Sequence, residues 1–364
     1  MSETIVPDSE HRGLVARLPQ PEGETIHLAD YRLRYASYRA DPDLQALHAK
    51  LPWIVQWDDH ESANDPWEGG AQNHDPATEG DWNTRRAASI QAYREWMPVS
   101  DEPWKAYDIG KLATLWRTES RLLARSRQDE YGPLMKAPDA ARALAAFRDG
   151  EWADPARTML GSQQESWLAH DIRRSVREGR RWQVAGFGTI MGNLATPAAA
   201  AGWTARGRGL GYIATGIAAA KAGLPNNLDS WGGYPAARRR FLAAAQAVDA
   251  NLIVICGDSH NAWAFDLAQD KAAAGVEFAG HSVTSPGYES GIATDPQLVA
   301  RQIVAANPEL RWCDTSRRGY MAMTITPDRV SNDWLFVDTI RDRTPRAGVG
   351  HSATVVRGTN RMTA

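Results

Sequence analysis

Two apolar runs of the chain each lead into an aspartate and a histidine. PWIVQW precedes Asp59 and His60, and NLIVIC precedes Asp258 and His260. Carboxylates and imidazoles together suit a hard or borderline divalent or trivalent metal ion. Ligands of open α/β sheets bind beyond the carboxyl ends of strands, so two buried strands would bring both pairs to one rim. A single pair of this kind is more simply a polar turn, but the repetition favours a metal site.

The other histidines offer less. Of the nine in the chain, only His281 also follows an apolar run, and we take it as a weaker third candidate. The remaining ones fall in predicted helices, in loops or near the termini.

The Gly-Asp-Ser sequence ending at Ser259 suggests a different enzyme, a serine hydrolase of the GDSL type. Such a serine needs a downstream Asp-x-x-His to act as its general base. The later histidines are His281 and His351, and three residues before them stand Phe278 and Gly348. The sequence therefore disfavours a serine nucleophile.

Helices alternate with apolar strands along the chain, which predicts an α/β or mixed sheet. Residues 58–82 form a long polar loop, of the kind that is often functional. The predicted helices are Leu28–Arg39, Asp43–Lys50 (preceded by Asp41 and Pro42 as N-cap and first residue), Trp82–Trp96, Pro138–Arg148, Gln163–Glu178, and one within Gly232–Asn251. The predicted strands are Pro52–Trp57, Gln183–Ile190, Asn251–Cys256, Gly275–Gly280, Gly319–Thr326 and Trp334–Thr339.

Composition places the chain among ordinary globular proteins. It has 364 residues, 43% of them hydrophobic and 23% charged, with a net charge of -3. A large core is thus available, and the balance of charge gives no basic footprint for nucleic acid. Two cysteines cannot make a disulfide framework, although one bridge is possible. The uncharged stretch Trp182–Ala205 contains several glycines and a proline, so we interpret it as a strand and loop rather than a membrane anchor.

Longer segments match one known family in the same order along the chain. They are LADYRLRYASYRADPDLQALHAKLPWIVQWDDHESAND, EGDWNTRRAASIQAYREWMP, RTMLGSQQESWL, WGGYPAARRRFL, NLIVICGDSHNAWAFDL, VEFAGHSVTSPG and RGYMAMTITP. In these segments the chain resembles the PhoD-type alkaline phosphatases of the metallophosphoesterase superfamily. The resemblance extends from Leu28 nearly to the end of the chain.

The resemblance implies a layered α/β/β/α sandwich and metal-dependent hydrolysis of phosphate esters at a cluster of iron and calcium ions. Asp59 matches a metal ligand, and His60 matches the histidine that assists the leaving group. Asp258 and His260 match the ligands of a later Gly-Asp-x-His, and Asn64 is a further candidate ligand. The implied substrate is a small phosphate monoester or diester, with no nucleic-acid partner and no membrane span.

The sequence also departs from the family. The family carries an upstream Gly-Asp-Tyr-like motif with a bridging aspartate and tyrosine and cysteine ligands to iron, and the residues before Leu28 do not resemble it. We therefore expect a fold that is incomplete at its N-terminus, with an arm at 1–27, a PhoD-like domain at 28–345 and a tail at 346–364. Without those ligands, the alternative is a non-catalytic partial protein that binds phosphate or a partner.

The two indications about location differ. Members of the family are usually exported, whereas the start of this chain has no basic segment followed by an apolar one. The chain as written is expected in the cytoplasm.

Overall fold

The computed structural model of the protein describes residues 19–342 and 346–363. Two compact units make up the chain. The first comprises residues up to Pro103 together with Arg121–Arg127, and the second comprises Trp104–Ser120 and the residues from Gln128 onward. Most of the predicted arm, residues 1–18, lies outside the described residues. The division into arm, domain and tail stays a prediction.

The first unit is mainly helical. Its elements are α1 (Leu28–Arg39), α2 (Pro42–Lys50), a hairpin of β1 (Pro66–Trp67) and β2 (Gly70–Ala71), α3 (Pro76–Glu79) and α4 (Trp82–Trp96). The predictions of α1, α2 and α4 are confirmed. At the start of α2 the Asp41 carboxylate accepts hydrogen bonds from two backbone N–H groups, as an N-cap does. A small core of Ala63, Ala71, Trp82 and Leu122 packs between the helices and the loop.

The predicted strand Pro52–Trp57 is wrong. The segment forms no ladder with any other described residues, and it lies outside all strands of the unit. Its apolar side chains are partly in solvent: Trp53 is 42% exposed, with its ring stacked on His48, and Ile54 is 47% exposed. A run of β-branched and aromatic residues forms a strand only where a partner edge receives its backbone groups. Asp59 and His60 therefore do not stand at the end of a strand.

The second unit is built on a mixed sheet of seven strands. They are β3 (Lys105–Ile109), β4 (Ala113–Arg117), β5 (Trp182–Phe187), β6 (Leu252–Cys256), β7 (Ala262–Gln269), β8 (Ala272–Ala279) and β9 (Leu310–Asp314). Their order is β3-β4-β5-β6-β8-β7-β9. The central strands β4, β5, β6 and β8 are parallel, and the remaining pairings are antiparallel.

A second, antiparallel sheet consists of β10 (Gly319–Ile325), β11 (Arg329–Val337) and β12 (Ala347–Val356). The region predicted as a tail thus contains a strand of this sheet. The helices of the unit are α5 (Tyr131–Met135), α6 (Ala140–Asp149), α7 (Gly161–Arg177), α8 (Gly209–Lys221), α9 (Pro235–Gln246) and α10 (Pro296–Ala306). Short 3-10 helices cover Ala198–Gly202, Trp231–Gly233 and Tyr288–Ser290.

Strand β6 shows why the layers form. Leu252 and Val254 pack into a core shared with α7, α8, α9 and α10, whereas Ile253 packs into a core shared with the three-stranded sheet. Because successive side chains point to opposite faces and both faces are covered, the strand is continuously apolar. The unit is therefore a sandwich of helices and two sheets, and the predicted α/β class is confirmed.

Several smaller expectations are also settled. Both cysteines are free and buried. The uncharged stretch becomes β5, a loop and a 3-10 helix. Among residues 19–342 and 346–363, none of the helices has both the length and the apolar character that crossing a bilayer requires.

Candidate metal site

Helices α1 and α4 hold the loop that follows the irregular PWIVQW segment. The Tyr31 hydroxyl on α1 donates to the Ser62 carbonyl at 2.6 Å, and Arg85 Nε on α4 donates to the same hydroxyl at 3.1 Å. Arg85 is 2% exposed and forms ion pairs with Glu79 and Glu24 at 2.8 and 2.9 Å. The buried guanidinium thus holds the Tyr31 hydroxyl, which in turn binds the loop at Ser62.

Asp59 lies in a single helical turn of this loop. Its carbonyl accepts from the backbone N–H groups of Ser62 and Ala63 at 2.9 and 3.0 Å. The residue is 4% exposed, and its Oδ2 accepts from the Asp65 N–H at 3.3 Å. A carboxylate that is buried in this way is costly unless a charge or hydrogen bonds compensate it, so Asp59 stays a candidate for binding a cation.

His60 is in a different environment from its neighbour. Its side chain is 68% exposed, with Nε2 3.4 Å from Asp59 Oδ2. A ring in contact with both solvent and a carboxylate can take up and release a proton, as a general acid must. The geometry suits the predicted role of His60 in proton transfer better than a role as a fixed ligand.

Asn64 is held at three points. Its Nδ2 donates to Gln72 Oε1 at 2.6 Å, its backbone N–H donates to Asn73 Oδ1 at 2.9 Å, and its carbonyl accepts from the Gln72 N–H at 3.0 Å. With Nδ2 donating to Gln72, Asn64 Oδ1 is left with its acceptor lone pairs. An amide oxygen of this kind is a suitable ligand for calcium.

Asp58 belongs to the same acidic run but was not assigned by sequence reasoning. Its Oδ1 pairs with the fully buried guanidinium of Arg121 at 2.8 Å. Its N–H donates to Glu61 Oε2 at 2.6 Å, and burial raises the pKa of the Glu61 carboxyl. The run of acidic residues is visible in the sequence. Its ion pair with Arg121 is not, because the arginine lies 63 residues further along the chain.

In the second unit, Asp258 and His260 directly follow the buried strand β6, as predicted. Both adopt left-handed backbone conformations, with φ of 69° and 58°. This region is unfavourable for residues other than glycine and tends to occur where function requires it. The strained turn carries two candidate ligands.

The ring of His260 is fixed by a backbone carbonyl. Its Nδ1 lies 2.9 Å from the Pro286 carbonyl, which can only accept, so Nδ1 carries the proton. In the neutral ring Nε2 then presents its lone pair, and metal-binding histidines are commonly oriented by such a bond.

Asp258 receives a hydrogen bond that sequence reasoning missed. The Thr189 hydroxyl donates to its Oδ2 at 2.8 Å. The strand predicted at Gln183–Ile190 included Thr189, whereas β5 ends at Phe187, so no local signal marked this contact in the sequence.

Two other residues from the sequence analysis have packing roles. Ser259 Oγ accepts from Trp263 Nε1 at 2.7 Å. His281 is buried, its Nε2 donates to the Leu335 carbonyl at 3.0 Å, and burial lowers the pKa of its ring. A buried histidine that donates to a carbonyl of β11 has a structural role. His281 is therefore a weaker candidate ligand than His260.

The predicted residues thus fall into two groups. Asp59, His60 and Asn64 share one loop of the first unit, and Asp258 and His260 share one turn of the second. The atoms that they offer to a metal are carboxylate oxygens, an amide oxygen and an imidazole nitrogen with assigned tautomer. These ligand types fit the metals that the resemblance implies, since calcium takes oxygen ligands and iron takes carboxylate and imidazole.

A family model described as PhoD-like phosphatase matches residues 5–334. The chain belongs to the PhoD-like phosphatase family. It is 31% identical over 348 residues to alkaline phosphatase D of Bacillus subtilis (strain 168), an alignment that covers 92% of this chain and 52% of that protein. The chain therefore spans about half the length of this curated relative.

A solved structure shares the fold. "Structure of PhoD" superposes with a TM-score of 0.71 at 24% identity, covering 96% of this chain and 62% of the other. The family resemblance and the fold class are confirmed. The roles of individual site residues stay predictions.

Proposed function

We propose that this protein is a metal-dependent phosphatase that hydrolyses small phosphate monoesters or diesters, with iron and calcium as its metals. Membership of the PhoD-like family supports phosphatase chemistry in general. The observation that carries the proposal is the turn after β6, where the Pro286 carbonyl fixes the tautomer of His260 two residues after Asp258.

Four residues would hold the ions: Asp59, Asn64, Asp258 and His260. When bound, the metals supply a positive field that neutralises phosphoryl oxygens and lowers the pKa of water. The chain itself supplies the orientation of these ligands, through Asp65 for Asp59 and through Thr189 for Asp258.

His60 would move the proton. Water attacks phosphorus as the ester P–O bond breaks, and the leaving alkoxide needs a proton. The imidazolium of His60 donates it, and the solvent-exposed ring is protonated again by the proton that the attacking water releases, so the step gains and loses no net proton. Asp59 stabilises the charged ring through its nearby Oδ2.

The first experiment compares hydrolysis of p-nitrophenyl phosphate and bis(p-nitrophenyl) phosphate with iron and calcium added. Asp258→Asn is the test variant and Asp270→Asn is its matched control. Asp270 is exposed and also adopts a left-handed conformation, with φ of 52°. We expect the control to retain activity and the test variant to lose more than the ~10–100-fold that follows loss of a partner that only orients a ligand.

The alternative from the sequence analysis, a non-catalytic phosphate binder, is separated by calorimetry with inorganic phosphate. Phosphate binding without turnover would support the alternative. Absence of turnover together with absence of metal after gentle purification would refute the phosphatase proposal.

A further inference from the structure

The loop after β5 is buried although it has no regular structure. Several of its peptide groups bond to buried acidic and basic side chains instead of to a ladder. Glu277 accepts from the N–H groups of Met191 and Gly192 at 2.8 and 2.7 Å, and Arg238 Nε donates to the Met191 carbonyl at 2.8 Å. Glu277 is fully buried and Arg238 is 6% exposed. Since an unpaired buried peptide group is costly, these two side chains fix the path of the loop.

Further contacts hold the end of the same loop. Asn307 both accepts from the Ala195 N–H at 2.7 Å and donates to the Ala195 carbonyl at 3.1 Å. At Gly192 a Cβ atom would lie 2.4 Å from the ring of Phe265, so the backbone is packed directly on an aromatic side chain. These contacts hold the loop in one packed conformation.

Thr189 lies at the start of this loop and contacts Asp258. Strands β5 and β6 are parallel neighbours, and their last residues, Phe187 and Cys256, lie opposite each other. The residues two positions beyond these two ends therefore also lie side by side. Those two residues are Thr189 and Asp258. Thr189 is fully buried, and its hydroxyl donates to Asp258 Oδ2 at 2.8 Å.

We propose that Thr189 is a positioning residue that fixes the Asp258 carboxylate for metal binding. The inference rests on the proposed function, in which Asp258 is a ligand. The hydroxyl takes up one lone pair of Oδ2 and thereby selects one orientation of a carboxylate that has about four such sites. Holding that orientation before the ion arrives removes part of the entropic cost of binding.

The test uses Thr189→Val, which removes the hydroxyl at nearly constant volume, and Thr189→Ser, which keeps it. The matched control is Thr114→Val. Thr114 is also fully buried in this unit, and its hydroxyl donates to Asp108 Oδ1 at 2.9 Å. It pairs with Gln183 near the start of β5, at the opposite end of the sheet from Asp258.

Equilibrium dialysis against Ca²⁺ or ferrous iron, with elemental analysis, measures metal affinity for each protein. The melting temperature of the metal-free form reports on folding. We expect Thr189→Val to bind metal about 10–100-fold more weakly, because loss of a partner that orients a ligand has effects of this size. Thr189→Ser and Thr114→Val should stay close to wild type in affinity.

Wild-type metal affinity in Thr189→Val would overturn the inference, as would an equal loss in Thr114→Val. Asp258→Asn distinguishes the two levels of the argument. If Asp258→Asn loses metal while Thr189→Val does not, only the positioning role of Thr189 is rejected. If Asp258→Asn binds metal like wild type, Asp258 is not a ligand, and both the positioning role of Thr189 and the ligand role of Asp258 are rejected. Should the valine variant not fold, Thr189→Ala against Thr189→Ser gives the same contrast.

Discussion

Glu277 makes a quantitative prediction about stability and pH. The side chain is fully buried on β8, and burial raises the pKa of its carboxyl from 4.5 to about 7. The N–H groups of Met191 and Gly192, the Cys256 thiol and the charge of Arg238 act in the opposite direction but are outweighed. The folded protein therefore keeps this proton at a pH where the unfolded chain has lost it.

The sign and size of the effect follow from linkage. Between pH 4.5 and about 7 the native state binds more protons at Glu277 than the unfolded state does, so the contribution falls as pH rises. At about 1.4 kcal/mol per pKa unit, the full change is roughly 3 kcal/mol. The stabilising contribution is complete below the unfolded pKa and is lost once the pH passes the folded one.

Urea unfolding of wild type and Glu277→Gln, followed by tryptophan fluorescence from pH 5 to 8, measures this change. Glutamine cannot ionise, so the difference between the two curves isolates Glu277 from other titrating groups. We expect wild type to lose about 2–3 kcal/mol relative to the variant across this interval.

Glu178→Gln is the control. Glu178 is exposed, and its hydrogen bond with Arg180 holds the pKa of the carboxyl below its usual value. Its contribution is therefore complete above its unfolded pKa of 4.5, and its difference curve should be flat. Parallel curves for wild type and Glu277→Gln, or a wild type that gains stability as pH rises, would refute the reasoning about Glu277.

Three further predictions concern catalysis and packing. His60→Ala should lower turnover by about 10²–10⁴-fold with unchanged metal content, whereas His260→Ala should lower metal content and activity together; equal metal loss in both would contradict these roles. Gly233→Ala should lower the free energy of unfolding by about 1–3 kcal/mol, because its Cβ would lie 1.9 Å from the Leu228 carbonyl oxygen, and an unchanged urea midpoint would contradict this. Arg238→Met should lower the free energy of unfolding by about 1–3 kcal/mol in the same assay, because it removes the ion-pair partner of the partly buried Glu309 and leaves the Met191 carbonyl without its donor. An unchanged urea midpoint would contradict this.

Local signals in the sequence predicted several elements well. Helix α4 begins and ends where the sequence indicated, and Asp81 caps it by accepting from the Thr84 N–H. Strand β6 was predicted because a strand covered on both faces must be apolar at every position. For α4 the determining interactions lie within the helix and its cap, whereas for β6 the local signal is the apolar run, and its ladder partners β5 and β8 lie elsewhere in the chain.

The segment PWIVQW shows the limit of this reasoning. Its composition resembles that of NLIVIC, yet only the second becomes a strand. Neighbouring residues do not determine whether another strand lies alongside. The opposite error also occurs: strands β3, β4, β7 and β9 form in the structure although the sequence analysis did not predict them.

The candidate site divides in the same way. The sequence by itself indicated Asp258 and His260, because their residue types and their place after an apolar run are local properties. Thr189 and Pro286, which orient them, lie 69 and 26 residues away along the chain. These contacts exist because β5 and β6 are parallel neighbours and because the 286 loop returns to the end of β6. The tertiary structure decides such contacts, since they depend on which distant segments pair, and no local preference of the residues encodes that choice.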